Sequence, residues 1–274
     1  MSQSKKHHYV PACYLKGFTN EGRRTSSFWA FPRNKPGYKH GTNPNDACVS
    51  NNYYKLEKNT QPLLIEEWYA NEVEPQIGIF LERIDYIKVV NSNDAGLIWL
   101  LTSLLLRNPQ HRENIESPLR HAQRVAESMK DDYDKNGIVL NTSATNYIKD
   151  DIIEYELKQI KVAAYYFSLF QFSLIKTPAP FNAITSDAPL ILAHNKLHTF
   201  GLGSIGTMIL TPLNKNTFLF GSKEIKLPNL HQASINEVAN FNTIIMNASN
   251  EKCFSNNDHF FILDDHEKTI KYPR

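Results

Sequence analysis

The apolar positions fall into two regimes, a helical middle between two ends that read as strands. From Ser27 the run Phe28-Trp29-Ala30-Phe31 ends at Pro32, and Lys35-Pro36-Gly37 and Asn43-Pro44-Asn45 punctuate a loop before Val49 to Leu56, which predicts two short strands around a long turn. Pro62 suits the first turn of a helix, and Ile65, Trp68, Tyr69, Val73, Ile77, Phe80, Leu81 and Ile84 continue it at helical spacing. Asn91 to Asp94 supplies capping side chains for a second helix, Ala95 to Leu106, apolar nearly all round and so expected in the middle of the domain. Asn108-Pro109 breaks it ahead of a polar helix over Arg112 to Asp132.

Gly137 to Ser143 reads as a loop, and Thr145 to Ile175 as a third long helix that turns from polar to aromatic and enters the core until Thr177-Pro178-Ala179-Pro180 stops it. Beyond Pro180 the runs 181–185, 190–192, 207–210, 217–220, 252–255 and 259–263 have strand character, with a helix over Ser234 to Ala248. The expected architecture is α+β in a single domain: a strand-bearing part over 1–60, a helical middle over 61–177 and a mixed part over 181–274, the two ends sharing a sheet.

Composition narrows the partners. With 274 residues and 41% apolar content the chain can bury a full core, and 30 basic against 28 acidic residues leave a net charge of only +2. That is far below the excess of a protein that coats nucleic acid, so any nucleic acid or nucleotide must be held by a local patch. Cys13, Cys48 and Cys253 offer neither a zinc spacing nor a disulfide framework, which fits the cytoplasm. The N-terminus lacks a signal-peptide stretch, and the longest apolar block, Leu97 to Leu106, is half of a bilayer span, so no membrane role is expected.

Candidate chemistry begins at Lys5-Lys6-His7-His8, two imidazoles beside two ammonium groups, anchored by Tyr9, Val10, Tyr14 and Phe18. A ligand, general base or phosphate contact is weighed there against a satisfied structural histidine. Glu67 and Glu74 lie seven apart on one helical face, suited to a divalent cation or to proton exchange, or simply to water, as Glu66 and Glu72 close by suggest. Arg107 ends the most apolar helix and either caps it or, with Arg112, presents planar donors to a phosphate. Ser186 and Asp187 leave a strand into a turn, where Asp187 is a third acidic partner, while the absence of a nucleophile elbow argues against a serine hydrolase. Gly201-Leu-Gly-Ser-Ile-Gly206 has the letters of a dinucleotide fingerprint without a following helix, and reads as a turn.

These landmarks together resemble a bacterial family catalogued as a domain of unknown function, number 4238. The resemblance rests on His-His-Tyr-Val-Pro-x-x-Tyr-Leu-x-x-Phe at 7–18, Asn-Tyr-Tyr at 52–54, Glu-x6-Glu at 67–74, Arg-x-Pro at 107–109, Ile-Thr-Ser-Asp-x-Pro at 184–189 and Thr-Pro-Leu at 211–213. Ala12 stands where that family often has Arg or Gln, and Asn108 where Thr is usual. The resemblance implies one domain with these regions near each other, and no established activity.

The residue types suggest a metal-assisted phosphodiester hydrolase, a nuclease-like toxin or defence effector. His8, Arg107 and Asp187 would be catalytic; His7, His8, Glu67, Glu74 and Asp187 would hold Mg²⁺ or Mn²⁺; Tyr9, Tyr14, Ser186 and Arg112 would line the pocket. The competing readings are a non-catalytic module that binds an anion or a partner protein with the same residues, and a different enzyme such as a nucleotide-modifying transferase.

Overall fold

The sequence forms seven α-helices and thirteen strands among the residues that the computed structural model describes, 6–135, 148–195, 199–226 and 228–273. The N-terminal part holds β1 (Lys6–His8), α1 (Ala12–Leu15), β2 (Phe28–Pro32), β3 (His40–Thr42) and β4 (Val49–Asn51). The middle holds α2 (Leu64–Trp68), a π-helical turn at Tyr69–Val73, α3 (Glu74–Glu82), α4 (Ala95–Leu106), α5 (Pro109–Lys135) and α6 (Lys149–Ser168). The C-terminal part holds β5 (Gln171–Lys176), β6 (Thr185–Ser186), β7 (Ile191–His194), β8 (Thr207–Asn214), β9 (Thr217–Ser222), β10 (Leu230–Gln232), α7 (Ile235–Ala248), β11 (Lys252–Ser255), β12 (Phe260–Leu263) and β13 (Thr269–Tyr272). The class is α+β, with strands at both ends.

The two ends do share a sheet. Its strand order is β3-β2-β11-β6, with Phe31 opposite Cys253 and Cys253 opposite Ser186, so N-terminal strands pair directly with C-terminal ones. A second, five-stranded sheet runs β10-β5-β9-β8-β7, and β1 folds back onto β4 with His7 opposite Ser50. Helix α7 covers one apolar cluster (Phe31, Ile175, Phe218, Val238, Ile245, Phe260), while α3, α4 and α6 enclose the larger one.

Local chemistry explains the boundaries that agree with the sequence. Asp94 accepts the Leu97 N–H as the cap of α4, and Ser234 and Glu237 form a capping box that starts α7. Gly96 lets α4 touch α3: a Cβ there would lie 2.4 Å from the Gln76 carbonyl oxygen and 2.5 Å from Phe80 Cβ. The Gly201–Gly206 stretch is a loop leading into β8, not into a helix.

Three expectations are corrected. The third long helix stops at Ser168, and Gln171–Lys176 is instead strand β5 in the sheet interior, hydrogen-bonded to β9 on one side and β10 on the other. A short, fully buried apolar run carries no period that separates strand from helix, and here the two neighbouring strands decide. The strand over 49–56 ends at Asn51, where Asn52 adopts φ +54°, and the strand over 181–185 shrinks to Thr185–Ser186. The expected loop at 137–143 lies outside the described residues.

Candidate functional site

The front of the chain reaches the helical middle through Arg107. This residue follows the last turn of α4, is fully buried, and donates from Nη2 to the carbonyl of His8, which locks β1 against the helices. Its Nη1 approaches Glu74 Oε1 at 3.4 Å, and its guanidinium lies 4.2 Å from the centre of the Tyr69 ring and 5.5 Å from that of Tyr54. Burial works against its charge, but Tyr54, Glu74, Tyr69 and Glu66 around it outweigh that, so Arg107 stays a cation.

The π-helical turn decides which glutamates share this centre. An α-helix would put Glu67 and Glu74, seven apart, on one face. A π turn closes i to i+5 and takes one extra residue, so the partner of Glu74 becomes the residue eight back, Glu66. Glu66 accordingly points inward, with its side chain 26% exposed and Oε2 at 3.8 Å from His7 Nδ1, whereas Glu67 is exposed. Glu67 is therefore removed from the site. Glu74 is present and bridges two arginines, with Oε2 at 3.6 Å from Arg24.

The two histidines differ. His7 has no exposed surface; its Nδ1 accepts the Tyr54 N–H at 3.0 Å, and its Nε2 has no hydrogen-bond partner among the described residues. Burial, followed by the charges of Lys149, Arg107 and His8, lowers its pKa, so it is neutral at physiological pH. His8 is half-buried, with Nε2 at 3.1 Å from the Pro44 carbonyl oxygen; a donor role for Nε2 leaves Nδ1 as the basic nitrogen, and burial lowers this pKa too. Glu66 moves the opposite way: burial pushes its carboxyl up to about 7, against the pull of Arg107. Its Oε2 and the Nε of Arg107 are buried without hydrogen-bond partners in the described chain. Orphaned donors and acceptors in one buried centre are costly, and such cost is retained where chemistry uses it.

The remaining expected residues are accounted for by structure. Asp187 comes close to the front end, where burial first and its charge second raise the pKa values of Tyr9 and Cys48, but its carboxylate accepts the N–H groups of Asn250, Glu251 and Lys252 at 2.9, 2.7 and 3.2 Å. It pins the loop entering β11 with both carboxylate oxygens, so it is corrected from catalytic acid to loop anchor. Ser186 Oγ accepts the Ala188 N–H within the same turn. The Tyr14 hydroxyl is buried between Thr185 Oγ1 and the Pro212 carbonyl, both at 2.8 Å. Arg112 is held by Glu156 and does not line an open pocket. Among the described residues no three His, Cys, Asp or Glu side chains come together to hold a metal ion, so the expected ligand set of His7, His8, Glu67, Glu74 and Asp187 does not converge.

Sequence reasoning missed Glu66, Tyr54, Tyr69 and Glu156 as partners of this centre. A signal for Glu66 exists: buried Ile65, Tyr69, Val73 and Ile77 follow at three successive steps of four, which drifts off an α-helical face and fits once a wider turn intervenes.

The fold and centre define an α+β protein built around a buried cluster of carboxyl, imidazole and guanidinium groups. The family model described as a protein of unknown function, DUF4238, matches residues 6–259, and the chain belongs to that family. No curated protein and no solved structure matches it. No helix among the described residues is long and apolar enough to cross a membrane.

Proposed function

We propose that this chain is a phosphodiester hydrolase that works by proton transfer, with Glu66 as the acid and His8 as the base. The observation that carries the reading is Glu66 itself: a carboxyl raised to about 7 by burial, beside a neutral imidazole, with an oxygen that has no hydrogen-bond partner among the described residues and a quarter of its side chain open to solvent. A group that titrates near neutrality suits both directions of proton transfer. Neutral His8, with Nδ1 as its basic nitrogen, takes the proton of the attacking water or hydroxyl; Glu66 returns one to the leaving oxygen. Arg107 holds positive charge behind both groups, and Arg24 and Lys149 flank the centre, which supports an anionic substrate. The phosphodiester would come from a nucleic acid or nucleotide at this local patch.

The test is turnover of DNA, RNA and cyclic nucleotides, with Mg²⁺ or Mn²⁺ and with chelator, for wild type, Glu66→Gln and His8→Ala. The reading predicts cleavage lost by at least ~100-fold in both variants while each still unfolds cooperatively. Absence of cleavage by the wild type on every substrate overturns it.

A second reading has one observation in its favour. Arg107 spends both terminal nitrogens inside the fold, on His8 and Glu74, as a binding module with a structural arginine would. Binding of an anion by wild type and Glu66→Gln alike, with no turnover, would select that reading.

A further inference from the structure

One peptide unit joins the two buried arginine sites. The carbonyl of Tyr53 accepts from Arg112 Nη1 at 2.9 Å, and the N–H on the other side of the same peptide plane, that of Tyr54, donates to His7 Nδ1 at 3.0 Å. Arg112 is itself fixed by Glu156 through a two-pronged pair, Nε to Oε1 at 2.8 Å and Nη2 to Oε2 at 2.5 Å, and stacks 3.7 Å above the centre of the Tyr53 ring. All three donors needed to hold the guanidinium are therefore engaged, and the group has no freedom to turn away.

A cation on the carbonyl side of an amide draws electron density toward oxygen and makes the N–H a stronger donor. That N–H can only donate, so His7 Nδ1 must stay unprotonated, and the proton of the neutral ring goes to Nε2, the nitrogen with no hydrogen-bond partner among the described residues. We infer that Arg112 and Glu156 are positioning residues. Acting through the Tyr53–Tyr54 peptide, they fix His7 as its Nε2–H tautomer, with the acceptor nitrogen Nδ1 on the side of Glu66 Oε2 and the Nε2–H buried without a hydrogen-bond partner among the described residues. Nδ1 then turns a lone pair and no N–H toward Glu66 Oε2, which favours the protonated acid that the proposed hydrolysis uses. That consequence rests on the function proposed above, whereas the tautomer does not.

Protein labelled with ¹⁵N in its imidazoles separates the two. Long-range proton–nitrogen correlation at pH 7.5 distinguishes a pyridine-type nitrogen from a pyrrole-type one, and wild-type His7 should show Nδ1 as the former and Nε2 as the latter. In Glu156→Gln and in Arg112→Lys the two nitrogen signals of His7 should move toward each other as the second tautomer becomes populated, while those of His231 and His259 stay in place. Where cleavage is measurable, the turnover number should fall about tenfold or more in Glu156→Gln with KM within twofold. A wild-type His7 protonated on Nδ1 overturns the inference from one spectrum, even if both variants fail to fold. Unchanged His7 signals in a folded variant overturn it as well. A correct tautomer in a protein that cleaves nothing would sink only the proposed hydrolysis.

Discussion

Arg107 and Arg112 are five residues apart, both are buried, and they teach opposite lessons. Arg112 has every nitrogen paired, with two on Glu156 and one on the Tyr53 carbonyl, and both oxygens of its counter-charge are engaged by it. Arg107 has a longer 3.4 Å contact to a carboxylate that it shares with Arg24, and among the described residues its buried Nε and the neighbouring Glu66 Oε2 have no hydrogen-bond partner. A closed ion pair is a feature of structure: its desolvation is repaid by geometry, and nothing is left over for a ligand. The centre around Arg107 is unfinished in the same physical sense, which is why the chemistry is assigned there, and why the first site is read as its support.

The contrast breaks first at Glu156. Its replacement by Ala leaves Arg112 buried without a counter-charge, and stability should fall by about 3–5 kcal/mol, seen as a lower denaturant midpoint at unchanged slope. A loss below about 1 kcal/mol would mean that the pair is not the closed structural element described.

Glu66→Gln should do the reverse above neutrality. Folded Glu66 keeps its proton up to about pH 7, and the unfolded chain releases it near 4.5, so the folded state binds the extra proton and stability falls as pH rises through that window. A glutamine carries no such cost, and the variant should gain about 2–3 kcal/mol above pH 7 and show a flatter profile between 4.5 and 7. Stability curves that run parallel for wild type and variant would show that Glu66 titrates normally and would remove the group on which the hydrolase reading rests.

Asp187 supplies a middle case. Asn at this position turns one accepting oxygen into a donor that faces backbone N–H groups, at a cost of about 1–2 kcal/mol, and turnover per folded molecule should stay within about twofold of wild type. A specific loss of turnover at unchanged stability would return Asp187 to the catalytic set.

Much of this arrangement is legible in the residues, and what is not has identifiable causes. The cap at Asp94, the capping box at Ser234 and Glu237, and the apolar α4 are local chemistry written in adjacent residues. That the front end folds back to Arg107 follows from its aromatic anchors. Strand β5 is illegible because its apolar run is buried on both faces, and its partners, β9 and β10, lie 46 and 59 residues further on when first residues are compared. Asp187 has the residue type of a ligand, and only the approach of Asn250, Glu251 and Lys252 reveals that its oxygens are already engaged. The closed Arg112–Glu156 pair joins residues 44 apart, with no spacing to announce it.

The smallest expected effect is the sharpest test of the π turn. Glu67 and Glu66 are chemically identical neighbours, and only the extra residue in Tyr69–Val73 sends one to Arg107 and the other to water. Glu67→Gln should therefore change stability by no more than about 0.5 kcal/mol and leave both turnover and its pH profile unmoved, in the same assays where Glu66→Gln alters all three. Deleting Asn71, an exposed residue of that turn, would restore α-helical spacing with Glu66 seven positions before Glu74, so the variant should keep Glu66, not Glu67, as its sensitive glutamate. If sensitivity instead belongs to Glu67 in the full-length chain, the helix runs through this segment without the wider turn, and the carboxyl beside His7 is a different one.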